Sequence, residues 1–68
     1  MGEALSLAAK AALANNNRFT LQQMVAYVFQ DYMQHPQRDQ IAGYIFSPAC
    51  VQVLAQNGYK VDGHQVSK

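Results

Sequence analysis

Few side chains in this sequence could carry chemistry, and their spacing argues against most of it. The thiol is Cys50 and the imidazoles are His35 and His64. None stands at ligand-pair spacing from another, so no metal site is expected. Four acidic residues are too few to argue a Ser-His-Asp or paired-carboxylate arrangement. There is no Gly-rich phosphate loop. Neither an enzyme nor a cofactor is therefore expected. Cys50 falls in the first turn of an expected helix, where the dipole can lower a thiol pKa. A small buried cysteine is the commoner state. His35 stands near a helix C-terminus, where a proton is favoured, and reads as a cap. What remains is recognition. Gln52 and Gln56 are four apart and share a helix face. Glutamine can read adenine through two hydrogen bonds, although the same spacing suits ordinary solvated residues.

The elements that must position these groups are limited by size. The chain has 68 residues, enough for one domain over 1–68. Half of them are hydrophobic, which allows one core and argues against disorder. Five Lys and Arg against four Asp and Glu leave a net charge of +1. That balance lacks the basic excess usual in a strong phosphate binder. One cysteine excludes an intrachain disulfide. With no apolar run of about 18 residues and no signal-peptide pattern, the expectation is a cytoplasmic protein without a membrane partner. Met1-Gly2 with Ser6 fits the loose N-myristoylation pattern. Glu3 beside the glycine, with Leu5 and Leu7 at packed positions, favours an ordinary first helix.

That helix is expected over Glu3 to Asn15, with Leu5, Ala8, Ala9, Ala12 and Leu13 inward. It covers the core of its own chain or a second copy, so a homodimer is an open alternative. The Asn15-Asn16-Asn17 run stops it. Thr20 and Gln23 have capping-box spacing, and Phe19 with Met24 forms a hydrophobic staple. The second helix follows from Leu21 to about Gln34 and is expected to be the central strut. Leu21, Met24, Val25, Val28, Phe29 and Tyr32 form its apolar stripe. Pro36 separates it from a third helix over Gln37 to Tyr44 or Ile45. Ile41, Ala42 and Ile45 turn inward there, and Gly43 marks a close helix approach. Ser47 caps and Pro48 opens a fourth helix. Val51, Leu54 and Ala55 form its buried face, and Asn57-Gly58 closes it. Tyr59-Lys60-Val61 and His64-Gln65-Val66 then flank Asp62-Gly63, read as a type I′ hairpin turn. The fold class is mainly α: a compact three- to four-helix domain with a short C-terminal β-hairpin.

The order of Ile41-Ala42, Ser47-Pro48-Ala49-Cys50-Val51 and Asn57-Gly58-Tyr59-Lys60-Val61-Asp62-Gly63 resembles the winged helix-turn-helix family from about Thr20 onward. The resemblance implies a DNA-binding regulator whose Ser47–Asn57 helix enters the major groove of double-stranded DNA while the wing touches its backbone. By position, it places Ser47, Ala49, Gln52, Val53 and Gln56 near bases and Lys60 and His64 near phosphates. Arg18, Arg38 and Lys68 are further candidate phosphate contacts, although scattered charges usually just solubilise. The chain departs from the pattern at Ile45-Phe46, where the family often has Gly or a polar residue. It departs again in having no Lys or Arg on the presumed reading helix. The alternative is a protein-interaction module, an adaptor or inhibitor. It would use Tyr27, Tyr44 and Tyr59 as exposed aromatic anchors.

Overall fold

The computed structural model describes residues 2–68. Met1, and with it the start of the lipidation pattern, lies outside them. Four helices and three short strands follow in the order α1 (Gly2–Ala14), β1 (Arg18–Thr20), α2 (Leu21–Asp31), α3 (Arg38–Ile45), α4 (Pro48–Gln56), β2 (Lys60–Asp62) and β3 (Gln65–Ser67). The mainly helical domain with a C-terminal hairpin is therefore present.

Helix α2 packs against α1, α3 and β1, and α1 is equally central. Ala4, Leu7, Ala8, Ala11 and Ala12 are all buried. That i, i+3, i+4, i+7, i+8 set is one continuous helical face. Their small side chains let α1 meet α2, α3, α4 and β1 together. The expected phase was rotated, since Ala9 and Leu13 point outward and Leu13 is 87% exposed. In a helix made largely of Ala and Leu, apolar positions recur on every side and do not mark the inner face. The polar positions do, because Ser6 and Lys10 lie on the exposed side, four residues apart. Lys10 also joins α1 to α2 through Asp31 at 2.6 Å, with its ammonium over the Tyr27 ring.

After α1, Asn16 and Asn17 take positive φ of 56° and 65°. Asparagine visits this left-handed region more readily than other side-chain-bearing residues. The chain then reverses into β1, a strand of three residues that is too short to show a period in the sequence. Thr20 ends β1 and caps α2. Its hydroxyl accepts from the Gln23 N–H, and the Gln23 side chain accepts from the Thr20 N–H, completing the capping box.

Helix α2 stops at Asp31, short of Gln34, and buries only Leu21, Met24 and Val28. Phe29 is exposed instead of inward, while Val25 and Tyr32 are half-buried. The early stop has a local cause. Arg38 donates from its guanidinium to the Met33 carbonyl at 3.0 Å, and the His35 N–H turns back to the Tyr32 carbonyl. Backbone groups that would extend the helix are thereby spent on a turn. In α3, Ile45 is buried, and Ile41 and Ala42 are half-buried. A Cβ at Gly43 would meet nothing within 4 Å, so no close approach explains that glycine.

The strands form one antiparallel sheet in the order β1-β3-β2. Phe19 pairs with Val66, and Val66 with Val61. Phe19 and Val66 are buried, and half-buried Val61 packs on the same core. The outer face carries Arg18, Thr20, Lys60, Asp62, Gln65 and Ser67, as strand alternation requires.

Candidate nucleic-acid interface

Helix α4 begins at a well-made cap. The Ser47 hydroxyl accepts from the Cys50 N–H at 3.2 Å and donates to the Tyr44 carbonyl at 2.6 Å. With Pro48 at the first helical position, this fixes the phase of α4. Ser47 is half-buried and its hydroxyl is already engaged at both ends. The buried pair is Cys50 and Leu54, four apart. This corrects the expected face, since Val51 is half-buried and Ala55 is exposed. The Cys50 side chain fills the inward slot of the first turn. Burial pushes its thiol pKa up, so desolvation outweighs the helix end. Ala49, Gln52 and Gln56 are exposed, and Val53 is half-buried beside them. The α4 surface is thus an uncharged strip with two free amides.

The hairpin lies along α4. At one end the Phe46 ring meets His64, with centroids 5.5 Å apart. At the other the Tyr59 N–H donates to the Leu54 carbonyl at 3.0 Å. The two-residue loop is Gly63-His64, because Asp62 pairs with Gln65. Gly63 alone has positive φ, +63°, and His64 is not among the residues with positive φ. The expected Asp62-Gly63 type I′ turn is therefore replaced by the type II′ pattern, with glycine at its first central position. A Cβ at Gly63 would meet nothing within 4 Å, so only φ requires glycine there. The exposed His64 ring is held by Gln22 at 2.7 Å through Nδ1, which ties the hairpin tip to the start of α2.

Strand pairing gathers the cations. Arg18 and Lys60 both stand opposite Ser67, one on each side, forming an Arg18–Ser67–Lys60 row across the outer face. Lys68 is at the same end of the sheet, its ammonium 4.7 Å from the Tyr59 ring centroid. Two of the five Lys and Arg residues, Arg18 and Lys60, thus share the outer face although they are far apart in sequence, while the Lys68 side chain follows on the alternate face beside Gly58 and Tyr59. An open concavity of about 500 Å³ covers this face, lined by Arg18, Thr20, Gln23, Lys60, Asp62 and Gln65. Asp62 places one negative charge within it. Arg18, Lys60 and Lys68 are all candidate phosphate contacts from the sequence, but that Arg18 stands beside Lys60 follows only from the pairing of β1 with β3.

Other candidates lie elsewhere. Arg38 belongs to the α2–α3 connection, bound to the Met33 carbonyl, near Asp39 at 3.6 Å and over the Phe29 ring. Tyr59 is 7% exposed and packs edge-on against Phe19. It cannot serve as an exposed anchor. Tyr27 and Tyr44 are half-buried against the core. The large apolar groups that do face outward are Leu13, Phe29 (45% exposed), Met33 (58%) and Phe46. Cys50, His35 and His64 do not converge. Among the described residues no three His, Cys, Asp or Glu side chains are grouped to hold a metal ion, and no helix is long and apolar enough to cross a membrane. Compared with protein-family models, with curated proteins and with solved structures, the chain matches none.

Proposed function

We propose that this chain is a small regulatory protein that binds double-stranded DNA. In this reading α4 lies in the major groove, offering Gln52 and Gln56 to base edges. Arg18 and Lys60 supply phosphate contacts. The observation that carries the reading is the placing of Arg18 and Lys60 on either side of Ser67 on the outer face of the sheet. Phosphate contacts supply most of the affinity in such complexes, while uncharged amides can supply base preference. The layout of α3, capped turn, α4 and hairpin adds support, as does a β1 strand that braces the hairpin from behind. Ser47 acts through the cap it makes and Arg38 stays with the α2–α3 connection, so neither is assigned a DNA contact.

A salt titration of binding to a mixed-sequence duplex tests the reading. Log affinity should fall linearly with log salt, and Lys60→Gln should reduce the slope by about 1 across all sequences. Gln52→Ala should leave the slope unchanged and alter base preference. Failure to bind duplex at about 50 mM salt would remove the proposal.

A protein-interaction role is the second reading, favoured by one observation. Phe29 in the last turn of α2 and Met33 in the turn that follows it are both exposed. Capture of a stoichiometric partner that is lost on Phe29→Ser, with no duplex binding, would select it.

A further inference from the structure

The two edges of the sheet are finished differently. The Leu21 N–H donates to the His64 carbonyl and the Lys68 N–H to the Asn17 carbonyl, which continue the β1–β3 ladder. Alternation then makes Phe19 and Val66 a hydrogen-bonded pair. The N–H groups of Arg18 and Thr20 must therefore point away from β3. Both are already used, Arg18 by the Asn15 carbonyl at 3.2 Å and Thr20 by the Gln23 side-chain oxygen at 2.8 Å. This edge is blocked by its own chain.

On the other side, the Val66 backbone groups face β1, so β2 bonds to β3 through Lys60 and Asp62. The N–H and carbonyl of Val61 are left on the outer edge. There the Tyr59 N–H is taken by Leu54, but among the described residues no hydrogen bond beyond the sheet engages Val61. An open edge of this kind is a template for another strand.

We propose that the β2 edge receives β2 of a second copy of this chain, antiparallel and centred on Val61. The Lys-Val-Asp order is what selects the occupant. A two-fold axis at Val61 sets Lys60 of each copy opposite Asp62 of the other, so the edge complements itself. Lys60 and Asp62 then occupy the non-hydrogen-bonded positions, where facing side chains approach most closely. Val61 of one copy exchanges both backbone hydrogen bonds with Val61 of the other. The result is a continuous six-stranded sheet across two chains. A strand of three residues makes a small interface, so the dimer is weak and concentration-dependent. The inference does not depend on DNA binding.

Sedimentation equilibrium without nucleic acid tests it. The chain should show a reversible monomer–dimer equilibrium that salt weakens. Lys60→Asp alone, or Asp62→Lys alone, sets like charges face to face and should weaken self-association by about tenfold or more. Mixing those two variants should restore association as a mixed dimer, and the double exchange Lys60→Asp/Asp62→Lys should restore self-association. Circular dichroism of each variant confirms that it is folded, which these exposed positions favour. A chain that stays monomeric at its highest soluble concentration would overturn the proposal. So would single variants that dimerise as well as the original, or a double exchange that fails to recover.

Discussion

Cys50 shows how one side chain can be read two ways until its surroundings are known. Its place in the first turn of α4 allows a lowered thiol pKa, but the side chain is fully buried and the pKa is raised. The consequence for stability has a definite sign. The unfolded thiol ionises near its ordinary value of 9.0, while the folded thiol stays protonated to higher pH. Above that value the unfolded state binds fewer protons, so stability falls as pH rises, and below it the contribution is complete. Urea unfolding from pH 8 to 10 should therefore show a steeper loss for the native chain than for Cys50→Ala. Equal slopes would mean that the thiol is not held protonated by the fold. In the native state the thiol should also react slowly with an alkylating reagent, at a rate set by opening of the domain.

At the scale of elements, the junction between β1 and α2 joins two tasks in one residue. Thr20 closes the strand, caps the helix and receives the Gln23 side chain on its own N–H. Thr20→Ala removes the hydroxyl that accepts from the Gln23 N–H. It should destabilise the chain by about 1 kcal/mol, within the range of about 0.5–2 kcal/mol for lost N-caps. Gln23→Ala should cost less, because the Thr20 cap survives. It would also free the Thr20 N–H and reopen the β1 edge. Denaturant midpoints at unchanged m-value would measure both effects. If Thr20→Ala proved neutral, the cap would not be holding this junction together.

For the whole molecule, α1 packs against the three other helices and β1, and its alanines set how closely they approach. Ala8 is fully buried where the helices crowd together. Ala8→Leu should overpack the centre and cost about 1–3 kcal/mol. Leu13→Gln, on the exposed side of the same helix, should change stability by less than about 0.5 kcal/mol. Thermal or urea unfolding of the pair checks this, and equal effects would mean that α1 does not bury the face described.

Local signals in the sequence determined most of the element order. The Thr20–Gln23 box, the Ser47-Pro48 start, the Asn run and Gly63 act over a few residues, so their meaning needs no distant partner. They placed the starts of α2 and α4 and the hairpin, though not its turn type. Tertiary structure alone decided what depends on partners far along the chain. The inner face of α1 was hidden because Ala and Leu recur on all its sides. Strand β1 was hidden because Arg18-Phe19-Thr20 is too short to show a period, and its partner lies more than 40 residues away. With β1 unseen, Arg18 could not be set beside Lys60. Tyr59 likewise read as an exposed anchor until Phe19 was known to pack against it. Periodicity reports which residues prefer burial, but the contacts that satisfy the preference are set by the other elements present.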